Sequence, residues 1–274
     1  MTLTRVDGRF MGLVDTHAHL LPFWDDGADT WDTALGMLRA AEEDGIEAVV
    51  CTPHILSPKD MEHEEALWVR YEELVQRSAV AGLKVKIHMG SELFAHPGID
   101  LKRKMATPAQ NGRYFLVEFP MGSMPDFVLK SFFTQFGKEY TPVIAHPERY
   151  SRIIQNPQEA QILVEKGALL QLNAGSLLGV FGGAIKETAV KLLDANLVHV
   201  IASDAHDLKA RPLRLQTAFT VVTEKYGREK AQRLFADNPA RILRGEDVIA
   251  DQPRPIEETP KRSFWQRFEM TTKK

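Results

Sequence analysis

A single cysteine, Cys51, stands in the chain of 274 residues, which excludes an internal disulfide framework. No stretch approaches the roughly 18 consecutive apolar residues of a membrane span, and the N-terminal MTLTRVDGRFMGL lacks the long apolar core of a secretory signal. An excess of one charge sign is missing too. The 34 basic and 37 acidic residues leave a formal net charge of -3, with no polybasic stripe for nucleic acid or an anionic membrane. Internal repeats and low-complexity tracts are absent from the sequence. These absences predict a protein of the reducing cytoplasm with small or locally recognised partners, no nucleic acid and no transmembrane segment. What is present, 44% hydrophobic residues, suffices for either two small domains or one large barrel-like domain.

Seven apolar runs of strand length recur, at 12–16, 46–52, 83–90, 113–119, 141–145, 168–173 and 197–203. Helix-period segments separate most of them. Trp31, Ala34, Leu35, Leu38 and Ala41 form one apolar stripe, with Asp29 or Thr30 as N-cap and Gly45 just past the end. Similar segments run through 60–81, 123–137, 157–167 and 184–196, and further helices are expected over 211–226, 228–236 and from Asn238 and Pro239. Gly167 and Asn196 close two of these segments with residues that tolerate a left-handed position. Strand and helix alternate, so the strands are expected to be parallel and joined by right-handed crossovers, in a closed barrel or an open sheet. From 251 onward the chain is rich in proline and charge and is expected to be a mobile or peripherally docked tail on a 1–250 domain.

The chemistry follows the strands. The first ends in VDTHAHLLPFWDD, with His17 and His19; the second in CTPH, with His54; the third in GSE, with Glu92. Glu118 lies in LVEFP, His146 in VIAHPERY, and Asp204 and His206 in ASDAH. Six of seven strands thus deliver a metal-competent side chain at the edge where parallel α/β folds assemble their sites. With Asp26, these make nine candidate ligands: His17, His19, Asp26, His54, Glu92, Glu118, His146, Asp204 and His206. Imidazole and carboxylate without thiolate suit zinc, manganese or iron, and nine groups exceed the needs of one ion, so two or three ions are expected. Asp25 is the alternative to Asp26, and Asp15 is read as a carboxylate that orients a histidine from behind. His63, His88, His96 and His199 are set aside as structural. Arg149 and Arg211 follow His146 and His206 closely, and guanidinium groups beside such a cluster suit a phosphorylated substrate. Cys51 sits inside an apolar run and is read as a small buried residue, because a cysteine phosphatase loop would require arginine where Ser57 stands.

The motifs DTHAHLLP with DDG, then TPH, SE, VEFP, AHPERY, NAGSLLG and ASDAH, in this order, resemble the polymerase and histidinol phosphatase (PHP) superfamily. The DDG, AHPERY and SDAH-to-arginine spacings most resemble its bacterial metal-dependent protein tyrosine phosphatases of capsular and exopolysaccharide biosynthesis. The resemblance implies a distorted (β/α)7 barrel with a metal site at the C-terminal face of the strands. It assigns one ion to His17, His19, Glu92 and Asp204, a second to Glu92, Glu118 and His146, and a third to Asp26, His54 and His206, with Arg149 and Arg211 as the catalytic phosphate-binding pair. It implies divalent cations, manganese first and iron, zinc or cobalt as alternatives. The implied reaction is attack of a metal-activated hydroxide on phosphotyrosine, and the implied partner is a membrane tyrosine autokinase. A small-molecule phosphatase of the histidinol-phosphate type and a non-catalytic regulatory binding module are the alternatives. Family members can oligomerise through residues near their start, and this chain has extra residues there, so the oligomeric state stays open. Phe23 and Trp24, between the histidines and Asp26, are expected at the mouth of the barrel, where an aromatic substrate ring would pass.

Overall fold

Every one of the seven apolar runs contains a strand, and two of them resume after short breaks. The computed structural model describes residues 12–122, 132–134 and 139–256. Its strands are β1 (Leu13–Ala18), β2 (Ile46–Cys51), β3 (His54–Ile55), β4 (Lys86–Met89), β5 (Glu92–Phe94), β6 (Tyr114–Glu118), β7 (Thr141–Ala145), β8 (Leu169–Asn173) and β9 (Val200–Ala202). All pairs are parallel, in the orders β1-β2-β4 and β3-β5-β6-β7-β8-β9. The two sheets are one wall interrupted at Thr52–Pro53 and Gly90–Ser91. Pro53 has no N–H for a ladder, and a Cβ on Gly90 would lie 2.9 Å from Val50 Cγ1 and 3.2 Å from the Pro108 backbone. Only glycine fits that crossing.

The last strand returns to the first. Ala18 bridges Ala205 in parallel, His19 N–H donates to Ala205 O at 2.8 Å, and Asp204 N–H donates to His17 O at 2.9 Å. With each broken strand counted once, the expected distorted (β/α)7 barrel results. Asp15 helps to make this closure. Its Oδ1 accepts from the His17 and Ser203 backbone N–H groups, both at 3.1 Å, and burial pushes its carboxyl up to about 6. The expectation that Asp15 orients a histidine ring is therefore corrected: it binds backbone and joins β1 to the end of β9.

Helices pack around the strands as their periodicity requires. In α1 (Trp31–Glu43), Thr30 Oγ1 accepts from Thr33 N–H at 3.1 Å, and Ala34, Met37, Leu38 and Ala41 are buried. A 3-10 turn at Asp60–His63 leads into α2 (Glu64–Val80). Helices at Gln158–Glu165 and Gly183–Asp194 end before Gly167 and Asn196, whose φ values of 92° and 59° are left-handed as expected. The helix expected over 211–226 begins only at Gln216. Before it, Asp207 Oδ1 accepts from the Lys209 and Ala210 N–H groups, both at 2.6 Å, turning the chain at Arg211. A helix does run over Asn238–Leu243. Most of the expected helix 123–137 and the tail from 257 onward lie outside the described residues. The beginning of the tail lies on the domain, where Arg254 N–H donates to Ala195 O at 2.8 Å and Asn196 Nδ2 to Gln252 O at 3.0 Å.

Tyr150 ties together the two strand ends that carry Glu118 and His146. Its fully buried hydroxyl accepts from Phe119 N–H at 3.0 Å and donates to Ala145 O at 2.9 Å. Tyr150→Phe leaves a buried backbone donor and acceptor unpaired and should cost about 1–3 kcal/mol. Urea unfolding checks this: a lower midpoint is expected, and an unchanged midpoint contradicts the role.

Candidate active site

The nine candidate ligands converge at the C-terminal ends of the strands. Seven of them, Asp26, His54, Glu92, Glu118, His146, Asp204 and His206, line one cleft of about 810 Å³ together with Arg149 and Arg211. His17 and His19 lie beneath it with no exposure. Ligand atoms come within 4.8 Å of one another in three sets: His17, His19, Glu92 and Asp204; His19, Asp26, His54 and His206; and His54, Glu92 and Glu118. The first set matches the first expected ion. The others differ in that His19 joins Asp26, His54 and His206, and His54 takes the place expected for His146. His146 stays close, with Nε2 at 2.9 Å from Glu92 Oε1 and 3.8 Å from Glu118 Oε2.

Hydrogen bonds behind the rings decide what faces the cleft. Gln171 uses its amide N–H groups on Leu172 O and Asn173 Oδ1, so its Oε1 accepts from His17 Nδ1 at 2.8 Å. Asp25 Oδ2 holds His19 Nδ1 at 2.8 Å, and His206 Nδ1 donates to Asp204 O at 3.0 Å. Each ring therefore turns Nε2 inward. The His17 and His19 Nε2 atoms lie 3.1 Å apart and 3.2 and 3.3 Å from Glu92 Oε2, with His54 Nδ1 3.1 Å from the same oxygen. Neutral rings in this tautomer would aim lone pairs at one another and at a carboxylate. Such a buried donor set fits a divalent cation. At its edge the buried His54 Nδ1 also lacks a hydrogen bond.

Electrostatics express the same crowding. Burial opposes charge on His19, but its hydrogen bonds with Asp25 and Glu92 outweigh it and raise the imidazole to about 10. His17 is likewise raised against its burial by Glu92 and Asp204. Burial and then the Glu92 charge push the Glu118 carboxyl up to about 7, whereas burial and the His19 charge take His206 down to about 4. The two aspartates of the DDG turn take different places. Asp26 faces His54 Nε2 and His206 Nε2, each at 3.4 Å, while Asp25 supports His19 and accepts from His54 N–H at 2.9 Å. Gly27 permits the turn, since a Cβ there would lie 2.4 Å from His19. Burial opposes ionisation of Asp25, but the His19 contact and backbone N–H groups hold it near 2.

Arg149 and Arg211 meet at one carboxylate. Their Nη1 and Nη2 atoms lie 3.1 and 2.5 Å from Asp204 Oδ2, and the Arg149 guanidinium rests 4.7 Å from the Phe181 ring centroid. Asn173 Nδ2 donates to the same Asp204 oxygen at 2.6 Å, and Asn173 N–H is held at 3.0 Å by buried Glu148. Gln171, Asn173 and Glu148 were not singled out in the sequence, because amides and a lone glutamate carry no ligand pattern. His146 and Asp204 also adopt positive φ, 35° and 54°, a strained state for residues with side chains. Of the four histidines set aside, His63 does line the cleft, with its ring 6.1 Å from Trp24. His199 is structural, its Nδ1 accepting from Leu170 N–H at 3.1 Å. Cys51 is buried and burial raises its thiol, as befits a core residue.

A cation entering between His17 and His19 must displace the proton that the raised His19 imidazole holds at pH 7. Adding manganese to chelator-stripped protein in weakly buffered solution should therefore acidify it, and apparent affinity should fall as pH falls from 8 to 6. Binding with no proton release and no pH dependence would contradict the arrangement.

Comparison with known proteins agrees with this architecture. The family model described as capsular polysaccharide synthesis, CpsB/CapC, matches residues 13–244. Tyrosine-protein phosphatase YwqE of Bacillus subtilis (strain 168) is 33% identical over 246 residues, covering 89% of this chain and 96% of that protein. Tyrosine-protein phosphatase CpsB of Streptococcus pneumoniae is 28% identical over 238 residues, covering 84% and 98%. A crystal structure from work on YwqE and CpsB, described there as metal-dependent tyrosine phosphatases, superposes with a TM-score of 0.81 at 32% identity, covering 90% of this chain and 100% of that one. The phosphotriesterase homology protein of Escherichia coli shares the fold at a TM-score of 0.53 and 12% identity, over 85% of this chain and 98% of that one. The chain belongs to the CpsB/CapC family of capsular polysaccharide synthesis proteins.

Proposed function

We propose that this chain is a metal-dependent protein tyrosine phosphatase that hydrolyses phosphotyrosine without a phosphoenzyme. The observation that carries the reading is the inward convergence of His17, His19 and His54 on Glu92 beside two arginines that share Asp204. The relatives named as tyrosine-protein phosphatases support it. The ligands in this reading are His17, His19, Asp26, His54, Glu92, Glu118, His146, Asp204 and His206. Their number favours two or three divalent cations, with manganese first and iron, zinc or cobalt accepted by the same donors. Bound cations supply Lewis acidity and a hydroxide nucleophile at neutral pH.

The chain's own groups do the rest. Arg149 and Arg211 turn from Asp204 to the phosphoryl oxygens and offset charge that grows on them. Asn173 keeps its bond to Asp204 and so preserves that carboxylate's position as the arginines shift. Gln171 and Asp25 fix the His17 and His19 tautomers. The phenolate of tyrosine, with a pKa of about 10, leaves without strong acid assistance. The protein substrate in this reading is a membrane tyrosine autokinase that controls capsule or exopolysaccharide synthesis, met in the cytoplasm where ATP-dependent phosphorylation takes place. Among the described residues no helix is long and apolar enough to cross a membrane.

Hydrolysis of a phosphotyrosine peptide, with metal analysis of the purified protein, tests this function. Activity should vanish on chelation, return with manganese and survive Cys51→Ser. Arg211→Ala should lower kcat/KM by on the order of 10²–10³. Full activity in chelated, metal-free protein would overturn the reading, and a rate on histidinol phosphate above that on the peptide would favour a small-molecule phosphatase.

A further inference from the structure

We propose that Phe23, clamped by Arg70, is the residue that recognises the aromatic ring of the substrate and separates aryl from alkyl phosphate esters. The inference rests on the phosphatase reading above and names the group that sets its specificity. Phe23 is 61% exposed, and among the described residues it is the one exposed aromatic side chain. Its φ is 63°, a left-handed conformation that a bulky residue adopts only when its surroundings hold it there.

Those surroundings are on hand. Arg70, projecting from α2, donates from Nη1 to Pro22 O at 3.2 Å and to Phe23 O at 2.9 Å. Among the described residues it forms no ion pair, so its polar role here is to hold this turn. On the other side Trp24 Nε1–H donates to His54 O at 2.9 Å, which locks the next residue onto the strand that carries a candidate ligand. The Phe23 ring stands edge-on to Trp31, with centroids 6.5 Å apart and an interplanar angle of 80°. Phe23, Trp24, Arg70 and the exposed Leu56 all line the cleft that holds Arg149 and Arg211.

The consequence follows from how a phosphotyrosine must enter. Its phosphoryl end goes to the charged groups, and the phenyl ring behind it meets the cleft's aromatic wall. An aryl ester presents a flat face to Phe23 and Trp24 and covers exposed apolar surface. An alkyl ester of the same charge presents neither. A strained, exposed phenyl ring on a two-sided clamp is hard to account for by packing, because packing would bury it.

Glycine relieves the φ strain while deleting the ring, so Phe23→Gly separates recognition from folding. Calorimetric binding of phenylphosphonate and inorganic phosphate to the manganese-loaded full chain is measured beside phosphotyrosine-peptide kinetics. Phe23→Gly should keep or raise the melting temperature and weaken phenylphosphonate about 5–10-fold, with phosphate affinity unchanged. KM for the peptide should rise by the same factor, kcat should change far less, and Phe23→Tyr should restore phenylphosphonate affinity. Unchanged phenylphosphonate affinity, or equal weakening of both ligands, would overturn the proposal. Wild-type protein without phosphotyrosine hydrolysis would count against the phosphatase reading itself, whereas an active wild type with an indifferent Phe23→Gly variant counts against Phe23 alone.

Discussion

Glu92 is where the structure concentrates its electrostatic cost. A carboxylate with 1% exposure has His17, His19, His54 and His146 nitrogens within 3.3 Å of its two oxygens. Burial alone would protonate it, yet the charge on His17 and hydrogen bonds from the surrounding imidazoles hold it well below the usual carboxylate range. Asp204 obeys the same balance, its burial countered by His17, His146 and Arg211. Buried charges on this scale persist only when each has a partner of opposite sign. The barrel provides that partnership by bringing strand ends from the whole ring to one point.

Support for this point runs outward in layers of ordinary hydrogen bonds. Gln171 and Asn173 belong to β8, the one of the seven barrel strands, broken ones counted once, that brings no candidate ligand, and they carry a continuous amide chain from His17 to Asp204. Glu148 then holds Asn173 N–H and Ser176 Oγ, at 3.0 and 2.6 Å. Asp25 plays the matching part for His19 on the opposite side. Ring orientation is thereby set by neutral amides on one flank and by a carboxylate on the other. That asymmetry lets one imidazole pair meet carboxylates on several sides without choosing a wrong tautomer.

The ligand candidates were legible in the sequence because metal-competent residues are uncommon and parallel strands deliver them at one edge. The resemblance to the PHP superfamily then supplied a closed barrel where alternation alone also allowed an open sheet. Other features were not legible. Thr52–Pro53 and Gly90–Ser91 interrupt two strands, but the resumed pieces His54–Ile55 and Glu92–Phe94 are too short to show a period. Asp15 looked like a histidine partner, yet the parallel closure of β9 on β1 turned it toward backbone N–H groups. Asp25 and Asp26 are chemically equal as letters. The folded turn separates them, Asp25 bonding His19 and the His54 N–H and Asp26 facing His54 and His206, with Gly27 packed against His19.

The central claim is that these side chains form one cation-dependent phosphoryl-binding site. Its most direct test is anomalous diffraction from crystals of the protein loaded with manganese and phosphate. The account predicts anomalous peaks among His17, His19, His54, Glu92 and Asp204, with phosphate on Arg149 and Arg211. Peaks confined to other parts of the molecule, or phosphate bound away from both arginines, would contradict it.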